Sequence, residues 1–188
     1  MLFRSYNVLD KNTPMEFVPP VLDGLVFCPG SISLKPFSRL SQEELFVDFD
    51  LQVAGAIRVV QSCLPSLKKS AAPSVVLISS VAAGTGLAYH AQVSAIKSAI
   101  EGLTRSLAAE FAPAVRFNCV APSLTDTPLA GHLLNTPEKR EANAARHPLK
   151  KIGGAEDIAG CICYLLSEES KWITGQTIRV DGGISTLK

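Results

Sequence analysis

Apolar runs alternate with longer stretches of helical spacing along this chain of 188 residues. Short apolar, β-branched runs predict strands at 2–9, 24–28, 75–78, 115–120 and 176–180. The longer stretches predict helices at 41–69, 93–111 and 155–167, and residues 129–150 read as a variable region. Alternation of this kind favours an α/β fold with a mostly parallel sheet covered by helices on both faces.

The first predicted helix carries the clearest local signals. Ser41, followed by Glu43 and Glu44, is typical of a helix N-terminus. Apolar residues then recur at helical spacing, and Pro65 lies near the predicted end. The recurring positions are Leu45, Phe49, Val53, Ile57 and Val60.

Composition bounds the class of protein. A chain of 188 residues with 47% apolar residues can bury one sizeable core, so residues 1–188 are predicted to form a single domain. A net charge of +1 without a long basic run argues against a nucleic-acid partner. No apolar run reaches membrane-spanning length and no signal-peptide core is found, so we expect a cytoplasmic protein without a membrane partner.

The five cysteines are odd in number and lie mostly within apolar runs, so we interpret them as reduced packing residues of a cytosolic protein. Cys161 and Cys163 are two positions apart on a predicted helix and point to different faces. They make a poor metal pair, and we predict no metal site.

Four segments in order resemble the short-chain dehydrogenase/reductase family, in particular its 3-oxoacyl-ACP-reductase-like members. The segment 75–106 contains VVLISSVAAGTGLAYHAQVSAIKS, with Ser80 and Lys97 at the family's spacing. LDGLVFCPG (22–30) resembles the fourth strand and the turn after it, and RFNCVAPSLTDTP (116–128) the sixth strand and the nicotinamide-side loop. Residues 152–183 resemble the last helix and strand. The resemblance implies a doubly wound, Rossmann-type parallel sheet.

The front of the chain departs from the family pattern. The Gly-x-x-x-Gly-x-Gly turn that would hold the cofactor pyrophosphate is missing. Instead RSYNVLD (4–10) resembles the third strand and its adenine-contacting turn, with Asn7 and Val8 in place. The resemblance thus implies that the first βαβα unit, about 50 residues, is lacking. The strand near Leu25 would then expose an unpaired edge.

Two explanations of this missing unit are open. One is a truncated gene model or an internal Met1 taken as the start; the other is a functional short form completed by another chain. We favour the first, because exposing a central strand has no evident compensation.

The resemblance also implies a catalytic set, which is changed here. The family uses a tyrosine as general acid or base, a lysine that lowers the tyrosine pKa and binds ribose, a serine that holds the substrate oxygen and an asparagine that organises a water relay. At these positions the chain has Val93, Lys97, Ser80 and Gln52. Valine can neither donate nor accept a proton.

Two nearby side chains are candidate replacements for the proton donor. Tyr89 lies four residues before Val93, and His90 follows it. Histidine suits proton transfer near neutral pH. The alternative interpretations are a packing aromatic residue and a solvated loop histidine.

Each retained position also has a structural alternative. Lys97 binds ribose or is an ordinary solvated lysine, and Ser80 contacts substrate or forms a turn at the end of its strand. Gln52 preserves a water bridge or caps polar groups at a helix irregularity.

By resemblance, NAD or NADP is the cofactor. Pro122, Thr125 and Thr127 match positions that hold the nicotinamide carboxamide, and Ser123 replaces the usual glycine between them. Cys28, Pro29 and Gly30 replace the family's Asn-Asn-Ala-Gly turn on the ribose side and keep its final glycine. The residues that read the 2′ position belong to the missing second strand, so the sequence does not choose between NAD and NADP.

Three functions follow as hypotheses. The first is an NAD(P)-dependent oxidoreductase acting on a small carbonyl or alcohol with an atypical active site, its substrate cleft covered by residues 129–150. The second is a catalytically silent subunit that binds cofactor or forms oligomers, and the third is a non-functional fragment.

The resemblance further implies a homodimer or homotetramer through helices 41–69 and 93–111. The apolar residues beyond one buried face include Val93, Ile100, Leu103, Leu107 and Phe111.

Overall fold

The computed structural model describes residues 5–12 and 14–187. Its strands are β1 (Gly24–Phe27), β2 (Ser74–Ile78), β3 (Arg116–Pro122), β4 (Thr125–Asp126), β5 (Gly153–Gly154) and β6 (Thr177–Val180). Its α-helices are α1 (Gln42–Phe49), α2 (Gly55–Leu67), α3 (Ala91–Phe111), α4 (Pro137–Ala145) and α5 (Ala155–Leu166).

The main sheet has four parallel strands in the order β1-β2-β3-β6. Val75 pairs with both Leu25 and Phe117, and Cys119 pairs with Thr177. The predicted parallel α/β sheet is therefore confirmed. Parallel pairing brings the carboxyl ends of all four strands to one edge, where ligands bind in open α/β sheets.

Helices cover both faces of this sheet. Val75 and Leu77 pack with residues of α2 and α3 in one core cluster, whereas Val76 packs with Leu165 of α5 in another. Successive side chains of a strand point to opposite faces, so the continuous apolar run of β2 serves both clusters. Phe117 is completely buried, and burial of such a side chain contributes about 1.5–3 kcal/mol.

A buried amide ties β3 to the chain that leads into β6. The Asn118 side chain is completely buried. Its Nδ2 donates to the Ile173 carbonyl at 2.9 Å, and its Oδ1 accepts from the Gln176 amide at 3.0 Å. Leaving a buried amide of this kind without its hydrogen bonds costs about 1–3 kcal/mol. The Asn118 side chain therefore fixes how β6 approaches the sheet.

The predicted helix 41–69 forms but is interrupted. Ser41 caps α1 by accepting a hydrogen bond from the Glu44 amide at 3.2 Å. A π-helical turn, Asp50–Ala54, then separates α1 from α2. Such turns insert one extra residue into a helix and are frequent at functional sites, and this one contains Gln52.

The strand predicted at 2–9 is wrong for Ser5 to Leu9, which form coil and turn; residues 2–4 lie outside the described part of the chain. The reason is the lack of a neighbouring strand among the described residues. The Val8 carbonyl accepts two hydrogen bonds from the Arg58 guanidinium instead, at 2.6 and 3.2 Å.

Within the described residues β1 pairs only with β2, so β1 is the edge strand that the sequence predicted. The preceding segment packs partly buried apolar side chains against the first core cluster. These residues are Val8, Met15, Val18 and Leu22.

The variable region contains more order than predicted. A 3₁₀ turn, Pro128–Leu133, is followed by α4, which Thr136 caps through the Lys139 amide at 3.3 Å. Pro137 occupies the first position of α4, where its fixed φ is favourable.

The cysteines divide by environment. All five are free, and Cys63 and Cys119 are buried as expected, but Cys28 and Cys163 are exposed. The packing role predicted for those two is therefore wrong, since Cys28 follows the end of a strand and Cys163 lies on the outer side of α5. Among the helices of residues 5–12 and 14–187, none is long and apolar enough to cross a membrane.

Candidate active site

Two adjoining cavities open at the carboxyl ends of β1, β2 and β3. We call the first the strand-end cavity; it has a volume of about 340 Å³ and is lined by residues that follow these strands, by Lys97 and by part of α5. The second, the lid cavity, has a volume of about 460 Å³ and lies beneath α4 and the residues after it. The residues that line both cavities are Ile32, Ser80, Val93, Ser123 and Leu124.

The strand-end cavity brings together eight of the site residues predicted from the sequence. These lie on four separate segments of the chain, and the fold alone makes them neighbours. They are Cys28, Gly30, Ser80, Lys97, Pro122, Ser123, Thr125 and Thr127.

Other predicted residues lie elsewhere. Tyr89 is 63% exposed and lines neither cavity, and its carbonyl accepts a hydrogen bond from the Lys35 amide. Pro29, Asn7 and Val8 line neither cavity as well.

His90 lines the lid cavity only, and its Nδ1 lies 2.7 Å from the Ala88 carbonyl oxygen. Of the two donors suggested by sequence proximity, the structure thus brings only the histidine to a cavity.

Lys97 is a buried cation, with 7% of its surface exposed. Its ammonium group donates to the Ile78 carbonyl at the end of β2, at 2.9 Å. Burial lowers the pKa of Lys97, and the acidic groups of Cys119, Asp48 and Cys28 partly oppose that shift. The interpretation of Lys97 as a solvated lysine is wrong, because helix α3 points it into the space beneath the strand ends.

Gln52 belongs to a buried polar cluster around Asp48. The Asp48 carboxylate accepts hydrogen bonds from Ser31 Oγ at 2.5 Å, Gln52 Nε2 at 2.5 Å and Gln92 Nε2 at 2.9 Å. The side-chain oxygens of Gln52 and Gln92 are buried without a hydrogen-bond partner among the described residues. A methyl group placed on Gly30 would lie 3.5 Å from Gln52 Oε1 and 3.8 Å from Lys97 Nζ. The cluster therefore holds an unsatisfied acceptor close to a buried cation.

The two serines at the end of β2 make different hydrogen bonds. Ser79 Oγ donates to Glu101 Oε1 at 2.8 Å and is buried. Ser80 Oγ accepts from the Ala82 amide at 3.2 Å and so forms the predicted turn. Ser80 also lines both cavities, so its hydroxyl group can donate its proton to a ligand there.

Val93 is an apolar part of the cavity wall, at the position where the resemblance implies a tyrosine hydroxyl group. It is 8% exposed and lines both cavities. It lies four positions before Lys97 on α3, so the two share one face of the helix. The helix therefore places Val93 where a tyrosine would share one face with Lys97, but valine provides no hydroxyl group.

The sequence did not predict one hydrogen-bonded pair of side chains that borders the lid cavity. Ser123 Oγ lies 2.8 Å from Nε2 of His147, a buried residue that follows α4. His147 lines the lid cavity. No spacing signal joins residues 24 positions apart; the serine in place of glycine was the only hint.

Asp48 was also missed, although a signal existed. It lies four residues before Gln52, so it had to share the buried face of the predicted helix. Among residues 5–12 and 14–187, no group of three or more His, Cys, Asp or Glu side chains is placed to hold a metal ion.

Comparisons with known proteins agree with this architecture. A family model described as enoyl-(acyl carrier protein) reductase matches residues 16–185. The solved structure of aldohexose dehydrogenase from Thermoplasma acidophilum, in ligand-free form, has a TM-score of 0.84 and 30% identity. The match covers 89% of this chain and 69% of that protein.

Two curated relatives match this chain over different shares of their lengths. Tropinone reductase-like 3 of Erythroxylum coca is 36% identical over 146 residues, which are 77% of this chain and 56% of that protein. The 3-oxoacyl-(acyl-carrier-protein) reductase FabG of Thermotoga maritima is 33% identical over 186 residues, 95% of this chain and 74% of that protein. The chain thus spans between about half and three quarters of the length of these relatives.

The buried lysine predicts a pH-dependent stability. The folded-state pKa of Lys97 is lowered from 10.5, so above it the unfolded chain binds more protons than the folded chain and stability rises with pH up to about 10.5. Urea unfolding of the parent and of Lys97→Met should show the parent gaining free energy of unfolding relative to the variant across that window. The exposed Lys69→Met controls for the loss of one positive charge. A difference between parent and Lys97→Met that stays constant with pH would contradict the lowered pKa.

Proposed function

The chain belongs to the short-chain dehydrogenase/reductase family, and from that membership we propose that it is an oxidoreductase that moves hydride between NAD(P) and a small carbonyl or alcohol. One observation carries the proposal. The Lys97 ammonium group, the Ser80 hydroxyl group and the loop 122–127 meet in one cavity at the carboxyl ends of parallel strands, where such sheets bind ligands.

The residues around Gly30 fit the nicotinamide riboside half of the cofactor. Gly30 leaves open the space that a side chain would fill, and the unpaired Gln52 Oε1 and the Lys97 ammonium group border that space. Ribose hydroxyls can donate to the first and accept from the second. The nicotinamide, when bound, supplies or takes up the hydride.

The remaining roles go to hydroxyl and backbone groups of the same cavity. Thr125, Thr127 and Pro122 border the place of the carboxamide, and Ser80 can hold the substrate oxygen. The Thr125 hydroxyl donates to the Ser123 carbonyl at 3.0 Å, which keeps this loop in one conformation. Binding and orientation of a carbonyl are therefore supported without Val93.

The direct test is hydride transfer by this chain. Millimolar NADH or NADPH is incubated with a panel of small ketones, aldehydes, sugars and acyl thioesters, and loss of reduced-cofactor absorbance is followed. We expect turnover with at least one carbonyl class. No oxidation above a control without protein, across the panel and in both directions, would reject the proposed activity.

Dinucleotide binding is expected to be weak in this chain. The sequence offers no Gly-x-x-x-Gly-x-Gly turn, so the pyrophosphate lacks the helix N-terminus that normally binds it. Titration calorimetry should give dissociation constants well above micromolar for NADH and NADPH. Reduced nicotinamide mononucleotide should bind within about tenfold of them, since only the riboside half finds partners. Micromolar binding of either dinucleotide would contradict this.

Val93 is expected to limit the rate. Val93→Tyr adds a hydroxyl group four residues before Lys97, and general acid–base groups contribute about 10²–10⁴-fold. We expect kcat for carbonyl reduction to rise by about tenfold or more over Val93→Phe, the matched control that adds the ring alone. Equal rates in the two variants would contradict a rate limit at Val93. They would mean that a group already present in the parent, or water held by Gln52 and Lys97, transfers the proton as well as a tyrosine would.

A silent subunit is the second candidate. It is favoured by the apolar wall at Val93 and by the position of Tyr89 outside both cavities. On this alternative the chain binds the nicotinamide riboside but transfers no hydride. Calorimetric binding together with the absence of turnover would distinguish it from the enzyme.

We propose that α1 and α2 form the contact of a homodimer or homotetramer. The apolar residues predicted for this role on α3 serve the chain's own core: Ile100 is buried, and Leu103, Leu107 and Phe111 pack against it. The first helical stretch, by contrast, carries a group of exposed apolar side chains. They are Phe46, Val47, Phe49 and Ile57.

Sedimentation tests this assembly. The parent should sediment as a dimer or tetramer at micromolar concentration, and Phe46→Glu should shift it toward the monomer, because a charge replaces apolar contact surface. Leu149→Glu is the matched control, since Leu149 is equally exposed, at 66%, but lies outside these helices. A monomeric parent would contradict the proposal.

A further inference from the structure

We infer that Ser123 and His147 form an acid–base pair that exchanges the reaction proton with the substrate oxygen, in place of the hydroxyl group missing at Val93. The inference rests on the proposed function and adds to it the group that carries the proton. Ser123 is the catalytic residue of the pair, and His147 acts through it.

The hydrogen bonds assign the proton positions. His147 Nδ1 lies 2.8 Å from the Asn143 carbonyl oxygen, and a carbonyl can only accept, so Nδ1 carries the proton. In the neutral imidazole Nε2 is then an acceptor. Ser123 Oγ, at 2.8 Å, therefore donates its proton to Nε2. A hydroxyl group that donates to an imidazole is ready to accept a proton from a bound alcohol.

Both partners are held in place. His147 is 3% exposed, and its side chain packs against Gly182, where an added methyl group would lie 3.4 Å from its Cβ and 3.5–3.7 Å from ring atoms. Gly182 has a φ of +59°, so glycine suits both the backbone and the close approach. The Ser123 amide donates to the Val180 carbonyl at 3.3 Å. Such fixed geometry lowers the cost of aligning a proton donor with substrate.

The location matches the chemistry. Ser123 lines both cavities, as do Ser80 and Val93, so its hydroxyl group borders the space where the substrate oxygen must lie. His147 lines the lid cavity. His90 also lines the lid cavity, but it is not linked to a hydroxyl group of the strand-end cavity.

The step balances as follows in the direction of oxidation. The alcohol O–H bond breaks and its proton moves to Ser123 Oγ, while the Ser123 proton moves to His147 Nε2. The carbinol C–H bond breaks, its hydrogen leaves with two electrons for the nicotinamide of NAD(P)⁺, and the C=O bond forms. The products are the carbonyl compound, NAD(P)H and an imidazolium that releases its proton to water. Reduction is the reverse.

The first experiment is spectroscopic and needs no turnover. The protein labelled with ¹⁵N-histidine contains three histidines, which are assigned with His90→Gln, His132→Gln and His147→Gln. His147 should be protonated at Nδ1, and Ser123→Ala should move its Nε2 resonance while leaving His132 unchanged. A proton on Nε2, or no response to Ser123→Ala, overturns the pair.

The second experiment is kinetic. Ser123→Gly and His147→Gln should each lower kcat by about 10²-fold or more with little change in KM, because the pair acts on the transferred proton. His132→Gln, at an exposed histidine outside both cavities, is the matched control and should keep full activity. Ser123→Gly supplies the test if the buried His147→Gln variant fails to fold.

The outcomes separate the two proposals. An active parent whose Ser123→Gly and His147→Gln variants keep full kcat overturns the relay and leaves the proposed function standing. Loss of kcat in His90→Gln with none in His147→Gln does the same. A parent without turnover rejects the proposed function and the relay with it, and the spectra would then describe a structural pair only.

Discussion

Parallel pairing of β2 with β3, in which Ile78 lies opposite Val120, places the candidate site residues that follow these two strands. Because the strands run in the same direction, the residues that leave them, Ser80 and Ser123, reach the same edge of the sheet. The last carbonyl of β2 also accepts the hydrogen bond of Lys97. A shift of one residue in this register would turn the side chains of β2 to the wrong faces and move the cation out of the cavity.

A buried carboxylate helps to keep the buried lysine charged. Lys97 and Asp48 lie on separate helical stretches, yet the carboxylate favours the charged form of the lysine against the effect of burial. Asp48 is stabilised by three hydrogen bonds from Ser31, Gln52 and Gln92. The π-helical turn at 50–54 lets Gln52 contribute to this cluster while its oxygen stays free beside Gly30.

The strand-end cavity brings Lys97, Ser80 and the loop 122–127 together, and Val93 adds an apolar side chain to its wall. On the proposed function, the first three groups would bind and orient a carbonyl. Val93 provides no hydroxyl group for proton transfer. The Ser123–His147 pair also borders the lid cavity, and its two side chains lie within hydrogen-bond distance of each other.

The sequence by itself determined the parallel α/β sheet, the helical stretches that contain α1, α2, α3 and α5, and the segments on which the candidate site residues lie. These follow from hydrophobic periodicity and from motifs within short segments, which are local properties. It misplaced the strand at 5–9, because a strand requires a partner that no local pattern reveals. It also missed α4, whose apolar positions are few.

Only the tertiary structure decided which polar groups meet. Asp48 with Gln92 and Ser123 with His147 are 44 and 24 positions apart, and hydrogen bonds between such positions carry no periodic signal. Burial, too, is a property of the packed chain: it separated the buried Lys97 from the exposed Tyr89, both of which the sequence had offered as candidates for chemistry.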